Sequence, residues 1–211
     1  MVRKVLLVCG ILSSFFYAAM DVIGGTRWPS YSWISQEFSR LSAIGAPSRP
    51  LHLVLSPVYT VLVVAFGIGV WRASAGKRAL RVVGAALILY GLVSVVWPQF
   101  FPEDLSKPVS ALTNTMHILI TMLTVFSFML ILGFGATAFG QPFRLYSIGT
   151  LAAVLVLGGL TGPQGAALAA GQPTPWIGLT ERSLIYSFML WVVVLAITLL
   201  RVSGQQHQSN A

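Results

Sequence analysis

The chain has very little acid. Only 5 of its 211 residues are Asp or Glu, against 13 Lys or Arg, and charged residues together make up 9%. A soluble domain carries about a quarter charged residues, so that class is excluded. Cysteine is scarcer still: with Cys9 the sole example, an intrachain disulfide and a thiolate metal centre are both excluded. The chain has no glycine-rich phosphate loop, serine-nucleophile elbow, paired-cysteine motif or HExxH zinc motif. Its arginines are too scattered for a voltage sensor. What remains is 56% hydrophobic with a mean hydropathy of +0.82, the composition of an integral membrane protein.

Long apolar runs supply the architecture. Six stretches stand out, at about Val5–Gly24, Leu51–Trp71, Leu80–Trp97, Thr113–Phe139, Leu145–Thr161 and Arg182–Leu200. The fifth is the shortest and ends among Gly158, Gly159 and Gly162. The first begins like a signal peptide but runs on to Gly24 without a small-residue cleavage site, so it reads as a retained helix with Cys9 packed as a small hydrophobe. The expectation is an all-α, six-helix transmembrane bundle over residues 1–202, followed by a polar tail at 203–211 in which His207 is solvated.

Basic residues set the expected orientation. Arg3, Lys4, Arg72, Lys77, Arg78, Arg81, Arg144 and Arg201 fall on one side with no acid among them. On the other side Arg27, Arg40, Arg49, Lys107 and Arg182 are balanced by Asp21, Glu37, Glu103, Asp104 and Glu181. The net +8 therefore lies wholly on one side, which the positive-inside rule makes cytoplasmic. Both termini are expected inside a bacterial cytoplasmic membrane. The charge is a topology signal, with no nucleic-acid partner implied.

Every acid, together with His52 and His117, then belongs to the outer side. The first outer segment, Gly25–Pro50, reads as a short amphipathic helix over Tyr31–Gly45, with Ile34, Phe38, Leu41 and Gly45 on one face. It lies either at the membrane interface or as a lid on the bundle. The second outer loop is stiffened by Pro98, Pro102 and Pro108 and presents Glu103 and Asp104. The third is rich in Gly, Pro and Ala, has Trp176 as an interfacial anchor, and leads to Glu181 and Arg182 at the start of the last helix.

Polar stripes recur at helical spacing: Ser14, Tyr17 and Asp21; His52, Ser56 and Tyr59; Tyr90, Ser94 and Trp97; Asn114, His117, Thr121 and Thr124. They either line an outward-opening cavity or join helices by hydrogen bonds. His52 and His117 sit at matching depths. They serve as loop-bonded structural groups, as metal ligands with a carboxylate such as Asp104, or as axial haem ligands. Glu181 and Arg182 form either a self-neutralising pair at a helix start or an anion clamp. Gly158 and Gly162 form a small-residue face that admits close packing or a homodimer.

Five stretches carry a resemblance: ISQEFSRLSAIGAP (Ile34–Pro47), WPQFFPED (Trp97–Asp104), TNTMH (Thr113–His117), FRLYSIGT (Phe143–Thr150) and GQPTPWIGLTERSLIY (Gly171–Tyr186). With these the chain resembles, over nearly its whole length, a bacterial family of six-helix membrane proteins catalogued as domain of unknown function nine-nine-eight. The resemblance implies fold and membrane location and no activity. Where that family often has an aspartate three residues before the histidine, this chain has Asn114, which weakens a metal site built on that pair.

The reading that follows is an outward-facing polar pocket for a lipid-like or small amphiphilic ligand, or for a membrane partner, with Asp21, Glu37, Arg40, His52, His117, Glu181 and Arg182 as candidates. The alternatives are a metal-dependent lipid amide or ester hydrolase using His52, His117 and an outer carboxylate, loosely like the membrane ceramidases, and a haem-linked electron-transfer protein.

Overall fold

A computed structural model describes residues 1–104, 106 and 112–208. Lys107, Pro108 and the last three residues of the expected tail lie outside the described residues. Six α-helices follow in order: α1 (Val2–Thr26), α2 (Arg49–Arg72), α3 (Arg78–Phe100), α4 (Leu112–Gly135), α5 (Gln141–Ala169) and α6 (Ile177–Gln208). All six are long and apolar enough to cross a membrane, with mean hydropathies of 1.7 to 2.4 over their spans. The chain is a multi-pass membrane protein.

Each helix packs on its neighbours in sequence, and α6 returns to pack on α1, so the six form a closed ring. Two glycines permit the tightest seam. A Cβ at Gly84 would stand 2.8 Å from the Gly67 carbonyl oxygen, and one at Gly67 would stand 2.9 Å from that of Gly84, so α2 and α3 meet backbone to backbone. The middle of the ring is aromatic. Phe128 of α4 and Phe188 of α6 stack at 3.7 Å, and Tyr17, Tyr59, Tyr90 and Trp191 pack around them.

Hydroxyl groups join the helices inside this core. Tyr59 and Tyr90 share a 2.7 Å hydrogen bond between α2 and α3, Ser14 of α1 donates to the Met189 carbonyl of α6, and Trp191 donates to Ser147 of α5. The stripes on α1, α2 and α3 thus act as glue. The cavity beside them measures only about 10 Å³, room for about one water. The α4 stripe turns inward only in part. Asn114 is buried, but Thr121 is exposed and donates to the His117 carbonyl of its own helix, which removes its need for a partner helix.

Several boundaries differ from expectation, among them the end of α4 at Gly135 and of α6 at Gln208, inside the expected tail, and three have identifiable reasons. α5 runs eight residues beyond Thr161, through Pro163 into an alanine-rich segment of high helix propensity. α6 starts at Ile177, so Glu181 and Arg182 lie about one turn inside the helix instead of opening it. The helix expected over Tyr31–Gly45 is reduced to a single 3₁₀ turn, Ser39–Ser42. The carbonyls that would have carried that helix are used elsewhere: Ile34 accepts from the Leu179 amide, Trp33 and Gln36 accept from Arg182, and Glu37 accepts from the Tyr31 hydroxyl. The segment is nevertheless packed on the bundle, with Tyr31, Phe38 and Leu41 buried, as the lid reading required.

Candidate functional site at the long-loop end

The first inter-helix segment, the described part of the α3–α4 connection (101–104 and 106) and the start of α6 meet at one end of the ring. Arg182 is their centre. Its Nε and Nη2 grip both carboxylate oxygens of Asp21 on α1 at 2.9 Å. Its Nη1 donates to the carbonyls of Trp33 (3.1 Å), Gln36 (2.8 Å) and Gly178 (3.2 Å), and Nη2 also donates to the Tyr31 hydroxyl. Tyr186, one turn further along α6, donates to Asp21 Oδ2 at 2.6 Å. All five guanidinium hydrogens have acceptors. The sequence expectation is corrected here: Glu181 and Arg182 do not neutralise each other, and Arg182 has no donor left for an incoming anion.

Gly178 makes this arrangement sterically feasible. A Cβ there would overlap the carbonyl oxygens of Gln36 and Trp33, the same groups that Arg182 must reach. Glu181, adjacent to Arg182, turns to the loop and accepts from the Phe38 amide at 2.8 Å. The pair therefore pins the first loop from two sides. Burial raises the pKa of the Tyr31 hydroxyl against the pull of Arg182, so Tyr31 acts as a neutral donor and acceptor.

A second cluster is less complete. Arg40 Nη2 lies 3.8 Å from Glu103 Oε1, and Arg40 Nε is buried without a hydrogen-bond partner. Glu37, 9% exposed, has its Oε2 likewise unpartnered. Burial raises the Glu37 carboxyl, partly offset by Arg40 and Arg182. Burial and then the neighbouring Glu37 push Glu103 up to about 7, against Arg40. Backbone holds the two loops together here, since the Ile44 amide donates to the Glu103 carbonyl at 2.8 Å. Asp104 is engaged: its Oδ1 accepts from Ser106, and its backbone is bracketed by the Asn114 amide group.

The histidines are brought to the same end but not together as a ligand pair. His52 packs edge-on to Phe38, Phe38 contacts Trp97, and Trp97 packs edge-on to His117. His52 Nε2 and His117 Nδ1 are buried without hydrogen-bond partners. His52 Nε2 points at Gly24, where even a methyl group would collide. Among the described residues, no group of three or more His, Cys, Asp or Glu side chains could hold a metal ion.

Beside these clusters lies an open depression of about 420 Å³, lined by Ser30, Ser32, Ser35, Gln36, Arg40 and the Gln172–Pro175 turn. Apart from Arg40, none of these positions is among the sequence candidates. Tyr186 could have been found from its spacing of four from Arg182. The Ser and Gln positions have no helical period to mark them, because their segments are irregular.

The family model described as "Protein of unknown function (DUF998)" matches residues 11–198, and the chain belongs to that family. No curated protein and no solved structure matches it.

Because Asp21 is, among the described residues, the carboxylate hydrogen-bonded to the buried Arg182, Asp21→Ala should cost about 3–5 kcal/mol of stability. Tyr186→Phe, which removes one hydrogen bond to that carboxylate, should cost about 1.5–3 kcal/mol. Arg182→Lys should fail to restore the loop, since one ammonium cannot serve acceptors spread around a planar fork. Thermal unfolding of detergent-purified variants checks the order: a Tyr186→Phe defect as large as that of Asp21→Ala would contradict it.

Proposed function

We propose that this member of a membrane family of unknown function is a non-catalytic binding protein. Its long-loop depression seats the polar end of a lipid-like amphiphile. The observation that carries this reading is the contrast between the arginines at this end. Arg182 is saturated and Arg49 donates to the Ser42 carbonyl, whereas among the described residues Arg40, which lines the depression, has a long 3.8 Å ion pair and a buried, unpartnered Nε. A cation on the wall of a polar depression with no close counter-ion suits a ligand contact, as small-molecule sites combine a cleft with a few placed polar groups. A molecule that is part apolar suits this depression, for Trp33, Ile34 and Trp176, next in sequence to lining residues, are 41%, 50% and 57% exposed. The volume of about 420 Å³ falls in the range of ligand sites.

The test is a panel of short-chain lipids added to purified protein while the unfolding midpoint is followed. At least one lipid should raise the midpoint by several degrees. Arg40→Ala should lose that rise, as should Gln172→Trp, which fills the depression and leaves the cation in place. A rise that survives both variants would move the site elsewhere.

The same reading places the depression outside the cell, because the eight unopposed basic residues lie at the opposite end. In a Cys9→Ser background, a membrane-impermeant maleimide applied to intact cells should label Ser30→Cys and spare Ala75→Cys. The reverse pattern would invert the topology.

A further inference from the structure

We propose that the ligand of this depression is an anionic phospholipid headgroup, and that Glu103 competes with it for Arg40, so that binding is coupled to proton uptake. The inference rests on reading the depression as a binding site and adds its ligand chemistry and its regulation.

The lining supplies the first argument. Among the described residues Arg40 is its one cation, no acid contributes to it, and the other polar groups are hydroxyls and amides from Ser30, Ser32, Ser35, Gln36, Gln172 and Thr174. Guanidinium with hydroxyl and amide donors is the donor set that recognises an oxyanion. A neutral or cationic headgroup would leave Arg40 uncompensated on that side.

The second argument is the counter-ion already present. Glu103 faces Arg40 at 3.8 Å, with both side chains about one-fifth exposed. That distance is too long for a hydrogen-bonded pair, so the contact is Coulombic and yields to a closer anion. Glu37, in the same turn as Arg40, adds a second carboxyl with a buried unpartnered oxygen. An arriving phosphate would make three anions around one guanidinium, which is favourable only if a carboxyl takes up a proton.

Among the described residues, the other charges at this end, Glu37 apart, are engaged elsewhere or exposed. On α6, Arg182 is committed to Asp21 of α1, and Glu181 is fixed by the Phe38 amide. On α2, Arg49 donates to the Ser42 carbonyl and His52 packs on Phe38. Asp104 is held by Ser106 and Asn114, and His117 of α4 is bonded to the Phe101 backbone. Arg27, at the end of α1, is exposed. Of the two carboxyls beside Arg40, Glu103 is the one set against it as an ion pair at 3.8 Å, and burial together with the neighbouring Glu37 pushes it up to about 7.

The sign follows directly. Below pH 7 Glu103 is neutral and releases Arg40; above it the carboxylate competes. If only the neutral form admits the ligand, affinity falls by up to about 30-fold between pH 5.5 and pH 8.5. A phosphodiester keeps its single charge across that interval, so the change belongs to the protein.

The experiment is calorimetric titration of detergent-purified protein with dioctanoyl phosphatidylglycerol at both pH values. It is repeated at pH 8 in two buffers of different ionisation enthalpy, which counts protons. Wild type should bind at least tenfold tighter at pH 5.5 and take up close to one proton at pH 8. Glu103→Gln should bind equally at both values, with the acid-pH affinity and no proton uptake. Wild-type binding that ignores pH, or a Glu103→Gln variant that keeps the pH dependence, would overturn the coupling and leave the binding reading standing. Binding of dioctanoyl phosphatidylcholine as tight as that of the anionic lipid would overturn the charge assignment. Equal binding of glycerophosphoglycerol, the same headgroup without acyl chains, would overturn the lipid assignment in favour of a soluble phosphodiester. Binding of the anionic lipid unaffected by Arg40→Gln would overturn the site itself.

Discussion

One guanidinium holds the long-loop end together. Arg182 is buried in a helix long and apolar enough to cross a membrane, where an unpaired cation would be prohibitively costly. Its acceptors come from three separate parts of the chain: a carboxylate on α1, a hydroxyl and two carbonyls in the first loop, and a carbonyl on α6 itself. The same side chain thus closes the ring of helices and fixes the loop over it. The absence of a Cβ at Gly178 lets the loop carbonyls approach. Such an interaction specifies a unique geometry more than it adds net stability, because desolvation of both ions offsets most of the Coulombic gain.

The rest of the end is arranged around what Arg182 consumes. With Asp21 and the loop carbonyls taken, the neighbouring charges divide into closed and open sets. Glu181, Asp104 and Arg49 each have a defined partner. Arg40, Glu37 and Glu103 do not form a closed set, and they are the groups beside the depression. A rigid, satisfied node adjoining a loose, unsatisfied one is the usual division between support and site. The bundle interior carries little space: polar groups on α1, α2 and α3 that could have lined an outward-opening cavity join helices by hydrogen bonds, and the larger volume lies at the loops.

Much of the fold was readable because the bilayer imposes simple rules. Runs of about 20 apolar residues identified all six spans, including the fifth, whose glycines made it look short. Asp21 and Arg182 were both among the candidates, and their pairing inside apolar helices is what a buried charge requires. Their true partnership was missed because Glu181 is adjacent in sequence to Arg182, while Asp21 is 161 residues away. The first loop failed for a related reason. Its periodicity is genuinely helical, but side chains from α6 claimed the carbonyls that a helix would need, and tertiary contacts overrode local preference. His52 and His117 were expected at one end and are found there, yet the aromatic rings of Phe38 and Trp97 bridge the path between them. All the stretches that carried the family resemblance except Phe143–Thr150 meet at this end, so the resemblance pointed to the right region without naming the polar turn residues that form its concavity.

The claim on which the functional account depends is that Arg40, and not Arg182, is the residue that meets a ligand. Native mass spectrometry of protein extracted in mild detergent tests it directly by weighing what stays bound. The account predicts a retained phospholipid adduct on wild type that disappears from a folded Arg40→Gln variant. An identical adduct pattern on the two proteins would contradict it.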